Sequence, residues 1–203
     1  MVLTGTDVEI RTASVHDIAR VSAALGQAFV DDPVMVWAIP EEDRRRAILP
    51  AFFTVFTAAF QRHGHVYRTV DGTAAALWSP PGVDAVAEDE VEEFGAALEE
   101  ICGADAGRMG EISTLLGEHH PHEPVWYLNF VGVEPAGQGR GLGSALLEHV
   151  LVRADRDGAT AYLDATSTRN RALYERHGFV ATGELVISDG PTFWQMWRQP
   201  QHR

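Results

Sequence analysis

The 203-residue chain contains no lysine; all sixteen of its basic residues are arginine. A Schiff-base lysine and the phosphate-binding lysine of a P-loop are therefore both excluded. Cysteine is nearly as scarce. Cys102 is the only one, which leaves no intrachain disulfide and no cysteine-based zinc site, and nothing that calls for an oxidising compartment. Long apolar runs are missing too: Ala47 to Phe60 holds Pro50 and two threonines and falls short of the ~20 residues of a membrane helix. Met1 to Thr6 has neither a positive n-region nor an apolar h-region. The expectation is a soluble, cytoplasmic protein. A basic face is absent as well. Twenty-nine acids set the net charge at -13 and the pI near 5.0, so a nucleic-acid partner is excluded on electrostatic grounds. What is present is a 45% hydrophobic composition, enough for one compact domain over residues 1–203.

Hydrophobic periodicity lays out the elements. Val8 to Thr12 alternates as a half-buried strand. Ile18, Val21, Leu25 and Phe29 then form one helical stripe, with Ser14 or Asp17 as N-cap. Asp31-Asp32-Pro33 breaks that helix, Pro33 to Ile39 is a short helix or loop, and a long helix runs from near Glu41 to about Arg62. His65 to Thr69 and Thr73 to Trp78 make a hairpin across Asp71-Gly72. Asp84 to Glu123 carries twelve acids and one arginine over two helical patterns. Those acids are either a solvated face or a rim that attracts a cation. Val125 to Val133 is an almost unbroken apolar run, the pattern of a central strand buried on both faces.

After Glu134 to Gly137 comes Gln138-Gly139-Arg140-Gly141-Leu142-Gly143-Ser144, opening a helix that Gly158 ends. Ala161 to Ala165 is the next strand, Asn170 to His177 a short helix, and Val180 to Ser188 with Thr192 to Trp197 a closing hairpin. Strand, glycine loop and helix together form an anion site: glycines let backbone N–H groups approach a phosphate, and the helix N-terminus favours its charge. The dinucleotide fingerprint G-x-G-x-x-G/A is met only as a near miss, with Ser144 in the sixth position and Asp164 twenty residues beyond it. A nucleotide-binding oxidoreductase therefore stays open.

Gln138-x-x-Gly141-x-Gly143 matches without adjustment, and resembles the acyl-CoA pyrophosphate loop of the GNAT superfamily of N-acetyltransferases. Tyr162-Leu163-Asp164, Asn170-x-x-x-Tyr174 and Gly178-Phe179 resemble that family's next strand and CoA-contacting helix. Glu9 to Ala13, Phe29 to Trp37, Leu77-Trp78, His119 to Trp126 and the hairpin at Gly190-Pro191 extend the likeness to the puromycin N-acetyltransferase branch. The resemblance implies an α/β (α+β) fold with a mixed, mostly antiparallel sheet of about seven strands flanked by helices. It also implies acetyl-CoA as co-substrate, no metal, and a small-molecule amine as acceptor, such as an aminonucleoside-type antibiotic. Nucleic acid and membrane are not expected as partners, and the protein would be a monomer or homodimer.

By the same resemblance, Val131 and Val133 hold the pantetheine and polarise the acetyl carbonyl through their backbone groups. Gln138, Gly139, Arg140, Gly141, Gly143 and Ser144 hold the pyrophosphate, and Asn170 bonds the pantetheine arm. Tyr174 is the general acid for the departing thiolate; on composition alone it reads as a core aromatic. The base is open, because the fourth strand has Tyr127 where many relatives carry a carboxylate. Asp164 is either that base or a bond to a backbone turn. Trp37, Trp126 and Tyr127, with Asp31 and Asp32, suit a pocket for an aryl-bearing cation. His119, His120 and His122 lack metal-site spacing and belong to a solvated loop. A protein N-terminal acetyltransferase and a non-catalytic CoA-binding sensor remain as alternatives.

Overall fold

The computed structural model describes residues 8–84 and 86–201; Met1 to Thr6 lie outside them. Strands β1 (Ile10–Thr12), β2 (Val66–Thr69), β3 (Ala74–Ser79), β4 (Trp126–Val133), β5 (Ala161–Ala165), β6 (Val180–Val186) and β7 (Thr192–Arg198) form one sheet in the order β1-β2-β3-β4-β5-β7-β6. Every pairing is antiparallel except β4–β5. Helices α1 (Ile18–Ala28), α2 (Pro33–Ala38) and α3 (Glu42–Arg62) pack one face, followed by α4 (Val91–Cys102) and α5 (Ala106–Glu118); α6 (Leu142–Arg156) packs the other and α7 (Thr168–Arg176) follows β5. The expected α/β architecture is the one found.

Local chemistry accounts for the boundaries. Asp32 caps α2, its carboxylate accepting from the N–H groups of Val34 (2.9 Å) and Met35 (3.4 Å), with Pro33 in the first helical turn where a missing N–H costs nothing. Glu41 caps α3 in the same way through Asp43 and Arg44. α7 begins two residues before the expected Asn170, because Ser167 Oγ accepts from the Asn170 N–H at 3.1 Å and starts the helix there.

α1 approaches β4 closely at Gly132, where a Cβ would stand 2.9 Å from the side chains of Leu25 and Ala28. That contact brings the C-terminal end of α1, and with it Asp32, over the middle of the sheet. Arg45, 4% exposed, ties the segment down by donating to the carbonyls of Val30, Ile39 and Pro40 at 2.7–3.0 Å.

One expectation fails on β4. The strand is central, but most residues from Asn129 to Val133 are only half-buried. β5 pairs with it solely at Trp126, Tyr127 and Leu128. Beyond Leu128 the two parallel strands diverge, so their apolar faces line an opening instead of a closed core. The apolar run marks a strand whose second half is open on one edge.

Candidate active site

The opening between β4 and β5 leads into a cavity of about 720 Å³ bounded by the sheet, α1–α3, α4–α5 and α7. Tyr127, Val131, Asp164, Asn170, Tyr174 and Asp32 all line it, so the structure brings together residues separated by more than 140 positions of chain. Asn170 and Tyr174 project from one face of α7, four residues apart.

Tyr174 is 6% exposed. Burial pushes its phenol above the ordinary tyrosine range, and the negative charge of Asp32 adds to the rise. The hydroxyl therefore keeps its proton at neutral pH, as a proton donor must. Asp32 is itself buried, which raises its carboxyl. Opposing that rise, Thr166 Oγ1 donates to Oδ2 at 2.6 Å and the α2 cap donates to Oδ1. The Thr166 contact joins the start of α2 to the end of β5.

Asp164 sits at the base of the splay. Tyr162 Oη donates to Oδ1 at 2.7 Å and Tyr127 Oη to Oδ2 at 3.0 Å. The cross-strand neighbours Tyr127 and Tyr162 thus converge on one carboxylate. Burial raises its pKa; the two phenols, with the nearby charges of His120 and His119, pull it back down. Among the described residues the hydrogen bonds to Asp164 come from these two phenols and not from a backbone turn. Gln195 Nε2 completes the group by donating to Tyr162 Oη (3.0 Å) and to the His119 carbonyl (3.4 Å).

The glycine loop stands at the other end of β4. Gly139 and Gly141 have φ of +76° and +80°, with nothing within 4 Å of where a Cβ would sit. Gly141 is the N-cap of α6 and offers no side chain to its first turn. Those N–H groups therefore point outward uncapped, at the positive end of the helix dipole. The donor set fits a pyrophosphate. Gln138, exposed, folds back on β4, its Nε2 donating to the Val133 carbonyl at 3.2 Å while Oε1 accepts from Arg169 Nη2 at 3.0 Å. Ser144 Oγ lies 3.0 Å from His177 Nε2. Arg140 is exposed, and Val133 packs against Gly137 and Gly143.

Three expected acceptor residues are elsewhere. Trp126 alternates to the sheet face opposite Tyr127, where it meets Trp78 and Arg153. Trp37 lies under the Arg108 guanidinium, 5.3 Å from its ring, beside Gly190. Asp31 is exposed on the turn before Asp32. Conversely, Thr166, Tyr162, Gln195 and His120 were missed. His120 lines the cavity with its ring 5.0 Å from that of Tyr127. Only the strand alternation of Tyr162 with Asp164 could have signalled any of them. Among the described residues, no helix is long and apolar enough to cross a membrane.

The sequence profile of the Acetyltransferase (GNAT) family matches residues 66–179, spanning β2 to the end of α7. An uncharacterized N-acetyltransferase of Schizosaccharomyces pombe is 28% identical over 191 residues, covering 85% of this chain and 74% of that protein. A mycothiol acetyltransferase of Acidothermus cellulolyticus is 32% identical over 122 residues, 54% of this chain and 33% of the relative. The crystal structure of the histone acetyltransferase HPA2 and related acetyltransferase from Corynebacterium glutamicum superposes with a TM-score of 0.73 at 30% identity, covering 98% of this chain and 99% of that one. GNAT acetyltransferases use acetyl-CoA, and the uncapped glycine loop, the splayed strands and the buried phenol are where such a donor fits. With profile, relatives and site geometry in agreement, the chain belongs to the GNAT acetyltransferase family and is an acyltransferase.

Proposed function

We propose that residues 1–203 act as one cytoplasmic N-acetyltransferase domain that moves the acetyl group of acetyl-CoA to a primary amine of a small molecule. The observation that carries this reading is the buried Tyr174 phenol in the cavity at the β4–β5 splay, opposite the paired-phenol carboxylate Asp164. Acetyl-CoA, when bound, supplies the acetyl thioester and leaves as the thiol. Backbone N–H groups of Gly139 to Ser144 hold the pyrophosphate, Asn170 bonds the pantetheine arm, and the open edge of β4 at Val131 and Val133 orients the thioester carbonyl. Asp164 takes the proton that the amine nitrogen sheds as the C–N bond forms. Tyr174 gives its proton to sulfur as the C–S bond breaks. Both groups suit their parts: the phenol is held protonated, and Asp164 accepts two phenolic hydrogen bonds, the pattern of an ionised carboxylate.

The finer reading of the acceptor, an aminonucleoside-type antibiotic, is supported by the likeness of Phe29 to Trp37 and of the last hairpin to the puromycin N-acetyltransferase branch. An amine panel containing an aminonucleoside, short alkylamines and a peptide with a free N-terminus, read by thiol release from acetyl-CoA, tests both levels. Thiol release with amines and loss of that release in Tyr174→Phe is the expected result. Release confined to the peptide favours a protein N-terminal acetyltransferase, and tight acetyl-CoA binding without release for any acceptor favours a sensor. Protection of a sensitive bacterium by expression of the chain would bear on antibiotic resistance.

A further inference from the structure

The wall of the cavity farthest from the glycine loop is made by α4 and α5, and it is shaped as much by missing side chains as by those present. α5 lines the cavity along one face at helical spacing, from Ala106 and Gly107 through Gly110 and Ser113 to Leu116 and Gly117; α4 adds Phe94, Gly95, Leu98 and Glu99. Glycine weakens a helix relative to alanine, and α5 carries three in thirteen residues. None is there for backbone conformation, since the positive-φ glycines are all outside α4 and α5. None is there for close packing either: a Cβ at Gly95, Gly107, Gly110 or Gly117 would meet nothing within 4 Å. What these positions do is leave volume in front of an apolar wall. Phe56, Phe94 and Phe130 line the same cavity, Phe56 meeting the other two edge to face with ring centroids 4.9–5.0 Å apart, and Glu99 and Ser113 are the polar side chains that α4 and α5 bring to it. The carboxylates Asp32 and Asp164 stand with Tyr174 at the other, reacting end.

A site of about 720 Å³ lies in the ~300–1,000 Å³ range of pockets for drug-sized molecules. One end recognises a cation and the rest, Glu99 and Ser113 apart, rewards burial of apolar surface. On the N-acetyltransfer reading above, we infer that the acceptor is a primary amine carrying a bulky apolar body, aryl or branched alkyl, which seats against α4 and α5, and that Gly110 keeps the room for it. A polyamine would bury little of this apolar wall and could use only Glu99 for a second ammonium there, and a short alkylamine would leave the wall unfilled.

The test compares ethylamine, 2-phenylethylamine and 1,4-diaminobutane in thiol-release assays on the full chain, in wild type, Gly110→Leu and Gly110→Ala, with acetyl-CoA affinity by calorimetry and folding by thermal melt. In wild type, kcat/KM for 2-phenylethylamine should exceed that for ethylamine and for 1,4-diaminobutane by at least about tenfold, since each buried methylene is worth roughly fourfold. Gly110→Leu should lower the phenylethylamine-to-ethylamine ratio at least about tenfold with acetyl-CoA affinity retained. Gly110→Ala should raise the melting temperature, because alanine favours the helix, while lowering the ratio by a smaller factor; it decides the matter if the leucine variant folds poorly. A wild-type preference for ethylamine or diaminobutane, or equal losses on both amines in the variants, overturns the apolar-acceptor inference and leaves N-acetylation standing. Failure of every amine in an enzyme that binds acetyl-CoA overturns both together.

Discussion

The donor side and the acceptor side of this cavity are built on opposite principles. Residues 125–179 present backbone: an unpaired strand edge, uncapped helix N–H groups and, in the loop before α6, Gly139 and Gly141 at positive φ. Their charges cancel, since they hold six acids and six arginines. Residues 84–123 present side chains and gaps between them, and with twelve acids and one arginine they hold nearly all of the net charge of -13. A ligand common to a family can be held by main chain, which needs only glycine at fixed places and so leaves a motif. An acceptor peculiar to one enzyme is recognised by volume, and volume left empty has no residue signature.

The largest effect belongs to Gly141→Glu. At φ +80° the new side chain is strained, and its carboxylate occupies the space and charge meant for pyrophosphate. Calorimetry should show acetyl-CoA binding lost while circular dichroism reports a folded chain. Gly141→Asn tolerates the same φ without the charge and should retain measurable binding; equal loss in both would point to backbone strain instead of the anion site.

Next is Tyr174→Phe, which removes one hydroxyl and almost no volume. The kcat should fall by roughly ten- to a thousandfold, against the ~10²–10⁴ usual for general acid–base catalysis, with KM for acetyl-CoA nearly unchanged. Wild-type kcat would return Tyr174 to a packing role on α7.

A smaller effect tests the division of charge. Raising ionic strength from about 0.01 to 0.15 M shortens the Debye length from ~30 to ~8 Å. The acidic α4–α5 side should lose its pull on a cationic amine, lowering that substrate's kcat/KM several-fold, near the bottom of the ~10–10³ range for steering. Acetyl-CoA, approaching a half with no net charge, should show a flat or slightly rising kcat/KM. An amine response that is equally flat would make the acids of α4 and α5 a solvated face only.

The smallest effect is on stability. His65, His149 and His177, on or near the α6 side of the sheet, are all lowered by burial from an ordinary value near 6.5. Above that value both folded and unfolded chains carry them neutral. As pH falls below it, the unfolded chain takes up protons first, so stability declines until the folded values are reached. Asp32 and Asp164, raised by burial, act in the opposite sense, adding stability as pH falls through their folded values. Between pH 7 and 5 the melting temperature should drop by a few °C, at about 2–4 °C per kcal/mol for a chain of this size. His65→Asn with His149→Asn should flatten that slope; an unchanged slope would assign it to other groups.

The elements themselves were legible because each rests on local chemistry. Asp71-Gly72 turns the β2–β3 hairpin with Gly72 at φ +68°, Asp31-Asp32-Pro33 ends α1, and the helix expected after the glycine loop forms as α6 and buries Leu146 and Val150. Trp37 and Trp126 were misplaced for one reason: aromatic character suits a pocket and a core equally, and the side of β4 on which Trp126 falls depends on strand phase relative to a cavity defined elsewhere. Asp32 shows the mixed case. Its capping of α2 can be read from Asp-Pro, but its approach to Tyr174 and Thr166 spans more than 130 residues.

By itself, then, the order of residues determined the α/β elements, the exclusion of lysine chemistry, and the open glycine loop at the start of α6, since capping, periodicity and glycine φ preferences act within a few residues of one another. The tertiary structure alone decided that β5 leaves β4 after Leu128, that Tyr127 and Tyr162 share Asp164, and that α4 and α5 stand far enough off to leave an apolar cavity. Those outcomes depend on where separate elements come to rest against each other, and no local interaction along the chain encodes the distance between two helices and a sheet.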